Sequence, residues 1–148
     1  MIRRFQEEDL DMLQQVIHAS NSSLIGVYTQ QQTNALNEVF SKEFLLDRSK
    51  KYEIYVYVID GVIVGTASLA VSKEKIKGMF VHPAHQKQGI GRSLLNRVEQ
   101  AAKEHGITYL QADSSLAAVM FYEKHGYTRK EIIMNAKFGN SVRVFKQL

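Results

Sequence analysis

The run Ile54-Tyr55-Val56-Tyr57-Val58-Ile59, then Asp60-Gly61, then Val62-Ile63-Val64-Gly65-Thr66-Ala67-Ser68-Leu69, constrains the fold more than any other stretch. β-Branched and aromatic residues suit a pleated surface, and Asp-Gly is a strong hairpin signal. An antiparallel pair is predicted at the centre of the chain. A third strand, Ile76 to His82, stops at Pro83, which has no amide hydrogen to give a ladder and pushes His82 toward extended geometry. Upstream, Ile2 to Phe5 reads as a short strand. Leu10, Leu13 and Ile17 recur at helical spacing after Glu7, Glu8 and Asp9, acids that favour a helix start. A polar loop over Ser20–Gln32 leads to a second helix predicted from Thr33 to Leu46.

Downstream, Leu94, Leu95, Val98, Ala101 and Ala102 lie on one helical face, closed by Gly106. Ile107 to Ala112 reads as a strand. Ser114 or Ser115 is the expected cap of a helix through His125, closed by Gly126. Tyr127–Phe138 and Val142–Leu148 are expected to pair across Gly139-Asn140. The order is strand, two helices, three strands, helix, strand, helix, two strands. It predicts one α/β domain over 1–148, a mixed sheet with about four helices on its faces.

Composition narrows the chemistry. The 148 residues include no cysteine, which excludes disulfides, thiolate metal sites and a cysteine nucleophile. The formal charge of +4 suits an anionic small ligand and falls short of a nucleic-acid footprint. The N-terminus follows basic residues with acids rather than an apolar stretch, and Ile54–Val71 is too broken to span a bilayer. A cytoplasmic protein without membrane contact is expected. His82 and His85 lack an acidic third ligand nearby, so no metal is expected. Lys73, Lys75 and Lys77 alternate as on a solvated strand edge.

The most informative segment is Gln86-Lys87-Gln88-Gly89-Ile90-Gly91-Arg92, between a strand and a helix. Glycines let the backbone approach a ligand, and free amides at a helix start form an anion site. A tight turn with glycines required only by geometry fits the same letters. The Gly-Lys-Ser/Thr ending of a Walker A loop is absent, and Leu94 stands where a dinucleotide fingerprint needs its third glycine.

Two separated motifs carry a resemblance. Val81-His82-Pro83 before Gln86-x-x-Gly89-x-Gly91, and then Ala118-x-x-Phe121-Tyr122-Glu123-Lys124-x-Gly126-Tyr127, resemble the cofactor segments of the GNAT superfamily of N-acetyltransferases. The resemblance implies a mostly antiparallel sheet with one parallel pair, Ile76–His82 and Ile107–Ala112, splayed around acetyl-CoA. It implies a pyrophosphate on the amides of Lys87, Gln88, Gly89, Ile90, Gly91 and Arg92, and pantetheine paired with the backbone of Met79, Phe80 and Val81. The amide near Val81 would polarise the thioester carbonyl. Ala118 belongs to the second motif. Ser115 stands where the family usually has asparagine, to bond pantetheine or cap the helix.

By the same resemblance Tyr122 protonates the departing thiolate; spacing alone also fits a core aromatic. Lys75 stands where the family often has a glutamate base. A lysine-like acceptor amine is neutral only about once in ~2,500 at pH 7, a cost of roughly 4–5 kcal/mol, so a base or a desolvating pocket is useful. Glu74 and His82, on one strand face by alternation, are the nearest candidates for that base, with a water chain as an alternative. The expected reaction is direct acetyl transfer from acetyl-CoA to a primary amine in a ternary complex. A non-catalytic CoA-binding sensor is the rival. An exposed final strand would allow a homodimer.

Overall fold

The central hairpin forms as predicted: Asp60 and Gly61 both take positive φ, 49° and 76°, and Ile59 faces Val62 across a two-residue turn. The computed structural model describes residues 1–148. Its strands are β1 (Ile2–Arg4), β2 (Glu53–Ile59), β3 (Val62–Ala70), β4 (Lys75–Val81), β5 (Tyr109–Ser115), β6 (Thr128–Ile133) and β7 (Ser141–Gln147). They join one sheet in the order β1-β2-β3-β4-β5-β7-β6. Only β4 and β5 run parallel. The helices are α1 (Leu10–Ser22), α2 (Gln30–Val39), α3 (Lys42–Lys51), α4 (Ile90–Glu104) and α5 (Val119–Lys124).

Both faces of β2 and β3 are buried, which explains their unbroken apolar run. On one face Leu94, Leu95, Val98 and Ala102 of α4 pack with Tyr55, Ala67, Leu69, Ile76, Leu110 and Val144. On the other, Leu13, Val16 and Ile17 of α1, with Phe40 and Leu45, cover Val56 and Ile63. Each fully buried leucine contributes roughly 1.5–3 kcal/mol.

The structure divides the expected helix over Thr33–Leu46 in two. Phe40 leaves helical geometry (ψ 58°) to turn its ring into the core, and Ser41 restarts the chain, its Oγ accepting from the Phe44 amide at 3.1 Å. The first half begins early, at Gln30, because Thr29 and Gln32 cap one another reciprocally. There are therefore five α-helices rather than about four. The expected serine cap is also overturned. Ser114 and Ser115 stay in β5, opposite Val142 and Ser141, and α5 starts only at Val119 behind an uncapped Ala118. The strand expected over Tyr127–Phe138 ends at Ile133, and a turn built on the Asn135 side chain leads to β7.

One irregularity shapes the site. β4 and β5 are paired only at Lys75–Gln111 and Ile76–Ala112, and beyond them the strands part. The register of β4 on β3 slips between Ala67 and Leu69, opposite Gly78. A bulge sharpens strand twist, so it turns β4 away from β5. Arg48 Nη1 donates to the Lys77 carbonyl at this point, at 2.7 Å.

Candidate active site

The gap between the parted strands offers unused backbone groups. The His82 amide donates to Val64 O at 2.8 Å, so by antiparallel alternation Phe80, opposite Thr66, also bonds toward β3. Met79 and Val81 then turn their polar groups to the gap, and Gln86 Nε2 donates to Val81 O at 3.4 Å. This divides the expected trio: Phe80 has its backbone committed to β3 and its ring packed on Phe40, centroids 5.5 Å apart.

At the mouth of the gap, no amide from Gln86 through Arg92 donates to any protein acceptor. Lys87 (φ 62°) and Gly89 (φ 82°) sit in the left-handed region, curling these amides into a concave nest at the start of α4. Space is open around Gly89, whereas a Cβ at Gly91 would touch the Phe121 ring at 3.4 Å. That contact brings the two sequence motifs together. Ile90 is buried and anchors the loop, while Lys87, Gln88 and Arg92 stay exposed. Seven unspent amides beside three exposed polar side chains fit a diphosphate.

Tyr122 lies on α5, only 5% exposed, its ring edge-on to Phe121 and Tyr127 at 5.4 and 5.3 Å. Its hydroxyl bonds to no protein group and is not sealed from solvent. Burial pushes that hydroxyl far above the ordinary tyrosine range, so it stays protonated at neutral pH. The core and proton-donor readings of Tyr122 are thus compatible. Ser115 likewise keeps a hydroxyl bound to no protein group at the free end of β5, while its carbonyl accepts from Ala118 N and Ser114 Oγ.

The expected pairing of Glu74 and His82 on one strand face does not occur. Glu74 precedes β4, in a left-handed turn (φ 53°), exposed to solvent. His82 Nδ1 accepts the Ala84 amide at 3.1 Å and caps the turn over Pro83–His85. That hydrogen bond leaves the neutral ring's proton on Nε2. The structure thus does not bring the two candidates together on one face of β4. Lys75 and Lys77 are not on a solvated edge either, since β4 is an interior strand, and Lys73 lies exposed in the turn before it. Lys75 reaches Asp113 Oδ2 at 3.5 Å, and Arg143 holds the same carboxylate at 2.8 and 3.3 Å. Burial raises Asp113, but the Arg143 hydrogen bond and Lys75 outweigh it and hold the carboxyl below its usual range.

A family profile described as "Acetyltransferase (GNAT) domain" matches residues 19–138. The chain belongs to the GNAT acetyltransferase family. It is an acetyl-CoA-dependent N-acetyltransferase of that family. It is 25% identical over 140 residues to a spermidine N(1)-acetyltransferase of Thermoplasma acidophilum, covering 85% of this chain and 86% of that protein. An IAA acetyltransferase of Azospirillum brasilense is 31% identical over 74 residues, 45% of this chain and 48% of that protein. A GCN5-related N-acetyltransferase from Rhodopseudomonas palustris superposes with TM-score 0.93 at 25% identity, over 100% of this chain and 95% of that one. The PaiA N-acetyltransferase of Thermoplasma acidophilum, solved with coenzyme A, shares the fold with TM-score 0.88 at 21% identity, over 100% and 98%. No helix of this GNAT chain is long and apolar enough to cross a membrane.

One long-range tether carried no sequence signal. Tyr28, in the loop between α1 and α2, donates to Asn140 O at 2.5 Å and accepts from Leu116 N at 2.9 Å. It ties that loop to the end of β5 and to the β6–β7 turn, and its partners lie 88 and 112 residues away.

Proposed function

We propose that this enzyme, a single domain, moves an acetyl group from acetyl-CoA to a primary amine by direct attack in a ternary complex. The observation that carries the reading is the run of unspent amides from Gln86 to Arg92 beside the gap between β4 and β5. Those amides, with Lys87 and Arg92, would hold the pyrophosphate. Met79 and Val81 would bind the pantetheine arm as an added strand, with Ser115 within the same gap. Bound there, the thioester supplies an activated acyl carbon and a thiolate leaving group. The Val81 amide would stabilise charge on the thioester oxygen, and Tyr122 would give its proton to the sulfur as the C–S bond breaks and the N–C bond forms.

Support for the Tyr122 role is its protonated, unpartnered hydroxyl. No base is assigned, since Glu74 lies exposed in the turn before β4 and His82 Nδ1 caps the turn over Pro83–His85, and water is left to take the amine's proton. The name of the Thermoplasma relative makes spermidine a reasonable first acceptor to try. A cytoplasmic location suits a charged cosubstrate that does not cross membranes, and, since the final strand β7 lies between β5 and β6 rather than at an edge as expected, it is the uncovered edge of β6 that would allow two copies to pair. The test is thiol release from acetyl-CoA against an amine panel, beside calorimetry with CoA. Binding together with amine-dependent release is expected; no heat with either coenzyme at millimolar dose overturns the reading.

A further inference from the structure

Granted the acetyl-transfer reading above, the acceptor's chemistry can be taken further. Lys77 is the first residue of β4 beyond the last β4–β5 pair, so it stands where the gap opens. It shares the α1–α3 side of the sheet with Lys75, since Ile76 between them faces the α4 core. Its ammonium is half-buried and has no carboxylate partner. Its charged neighbours are Arg48, Lys73 and Lys75.

Of those neighbours, only Lys75 has a carboxylate partner. Arg48 is held among the rings of Phe40, Phe44 and Tyr52, 5.0 to 5.6 Å from their centroids, and Lys73 donates to the Tyr52 hydroxyl at 3.1 Å. Across the gap, Asp113 is shared between Lys75 and Arg143, and Arg143 also takes Glu131 at 3.0 Å. Five cations (Arg48, Lys73, Lys75, Lys77, Arg143) thus meet two carboxylates (Asp113, Glu131). Burial, then the nearby Arg48, lowers the Lys77 ammonium from its ordinary range, as expected where positive charge is crowded.

We propose that the acceptor amine carries an anionic group, a carboxylate or a phosphate, which pairs with Lys77, and that polyamines are poor acceptors. A half-buried ammonium without a counter-ion is costly, and an incoming anion relieves that cost. A polycation would add like charges to a site already in surplus.

The test compares kcat/KM for the common amino acids against their amides, phosphoethanolamine against ethanolamine, and spermidine. The carboxylate and phosphate pairs distinguish the two anion sources. In each favoured pair the anionic member is expected to win. Lys77→Ala should raise its KM roughly 10–100-fold, the worth of a charge-assisted contact, and leave the neutral member and acetyl-CoA affinity unchanged. Lys77→Glu should improve spermidine relative to wild type. Preference of the wild type for spermidine or for the neutral members overturns the proposal, as does a Lys77→Ala loss shared equally by both members. Binding of acetyl-CoA with no thiol release for any amine is a different pattern: it overturns the transfer reading, and the acceptor assignment falls with it.

Discussion

Tyr122 and Asp9 show how one buried group can serve chemistry or architecture. Replacing Tyr122 by Phe removes one hydroxyl from a site whose packing is otherwise aromatic, so acetyl-CoA affinity should hold. The expected loss in kcat is about 10²-fold or more, the usual worth of a positioned general acid. Burial holds the Tyr122 proton above its unfolded value, so a pH–rate profile of the wild type should show no Tyr122 limb below pH ~10. Asp9 is the architectural case. Only 2% exposed, it takes both Arg3 guanidinium nitrogens at 2.7 and 2.9 Å and the Gln6 amide at 2.9 Å. The Arg3 hydrogen bonds hold its carboxyl below the ordinary value. The stability it lends is therefore present above the unfolded pKa and lost as pH falls through the folded one. Arg3→Ala strands that carboxylate, and a loss of roughly 3 kcal/mol in denaturant unfolding at pH 7 is expected, shrinking toward pH 2.

At the level of elements, local signals were legible and long-range ones were not. Asp60-Gly61 announced its hairpin because a two-residue turn is decided by its own φ angles. The break at Phe40-Ser41 stayed hidden because the pull on Phe40 comes from Phe80 and the core, distant in sequence. Ser41→Ala should cost about 1 kcal/mol through loss of the α3 cap, read from thermal unfolding. The serines 114 and 115 misled in the opposite sense: their cap chemistry was real, but pairing with β7 kept them extended. The glycine loop was readable because its function lies in its own backbone, whereas Tyr28 acts through partners far along the chain. The Tyr28 ring lies so close to Gly139 (φ 91°) that any Cβ there would collide with it. Gly139→Ala should therefore displace the Tyr28 ring and loosen the loop between α1 and α2, lowering Tm while acetyl-CoA affinity is preserved; thermal unfolding beside calorimetry will read the split.

Across the whole molecule, a sheet joined by only two residue pairs at its parallel seam divides into β1–β4 and β5–β7. A ligand occupying the gap binds the folded protein alone. At 100-fold excess over Kd it adds about 2.7 kcal/mol, an upward Tm shift of roughly 5–10 °C for a chain of this size. Differential scanning fluorimetry with CoA reads this directly, and Gly89→Ala, strained at positive φ, should blunt it. On the reading proposed above, the coenzyme would enter where the sheet is most sparsely paired. In mechanical terms a coenzyme bound there would be a keystone: with it seated, amide exchange at Met79 and Val81 should slow. Without it, the core beneath α4 is what joins the two blocks across the open part of the seam, and the backbone lining the gap is left to exchange with solvent.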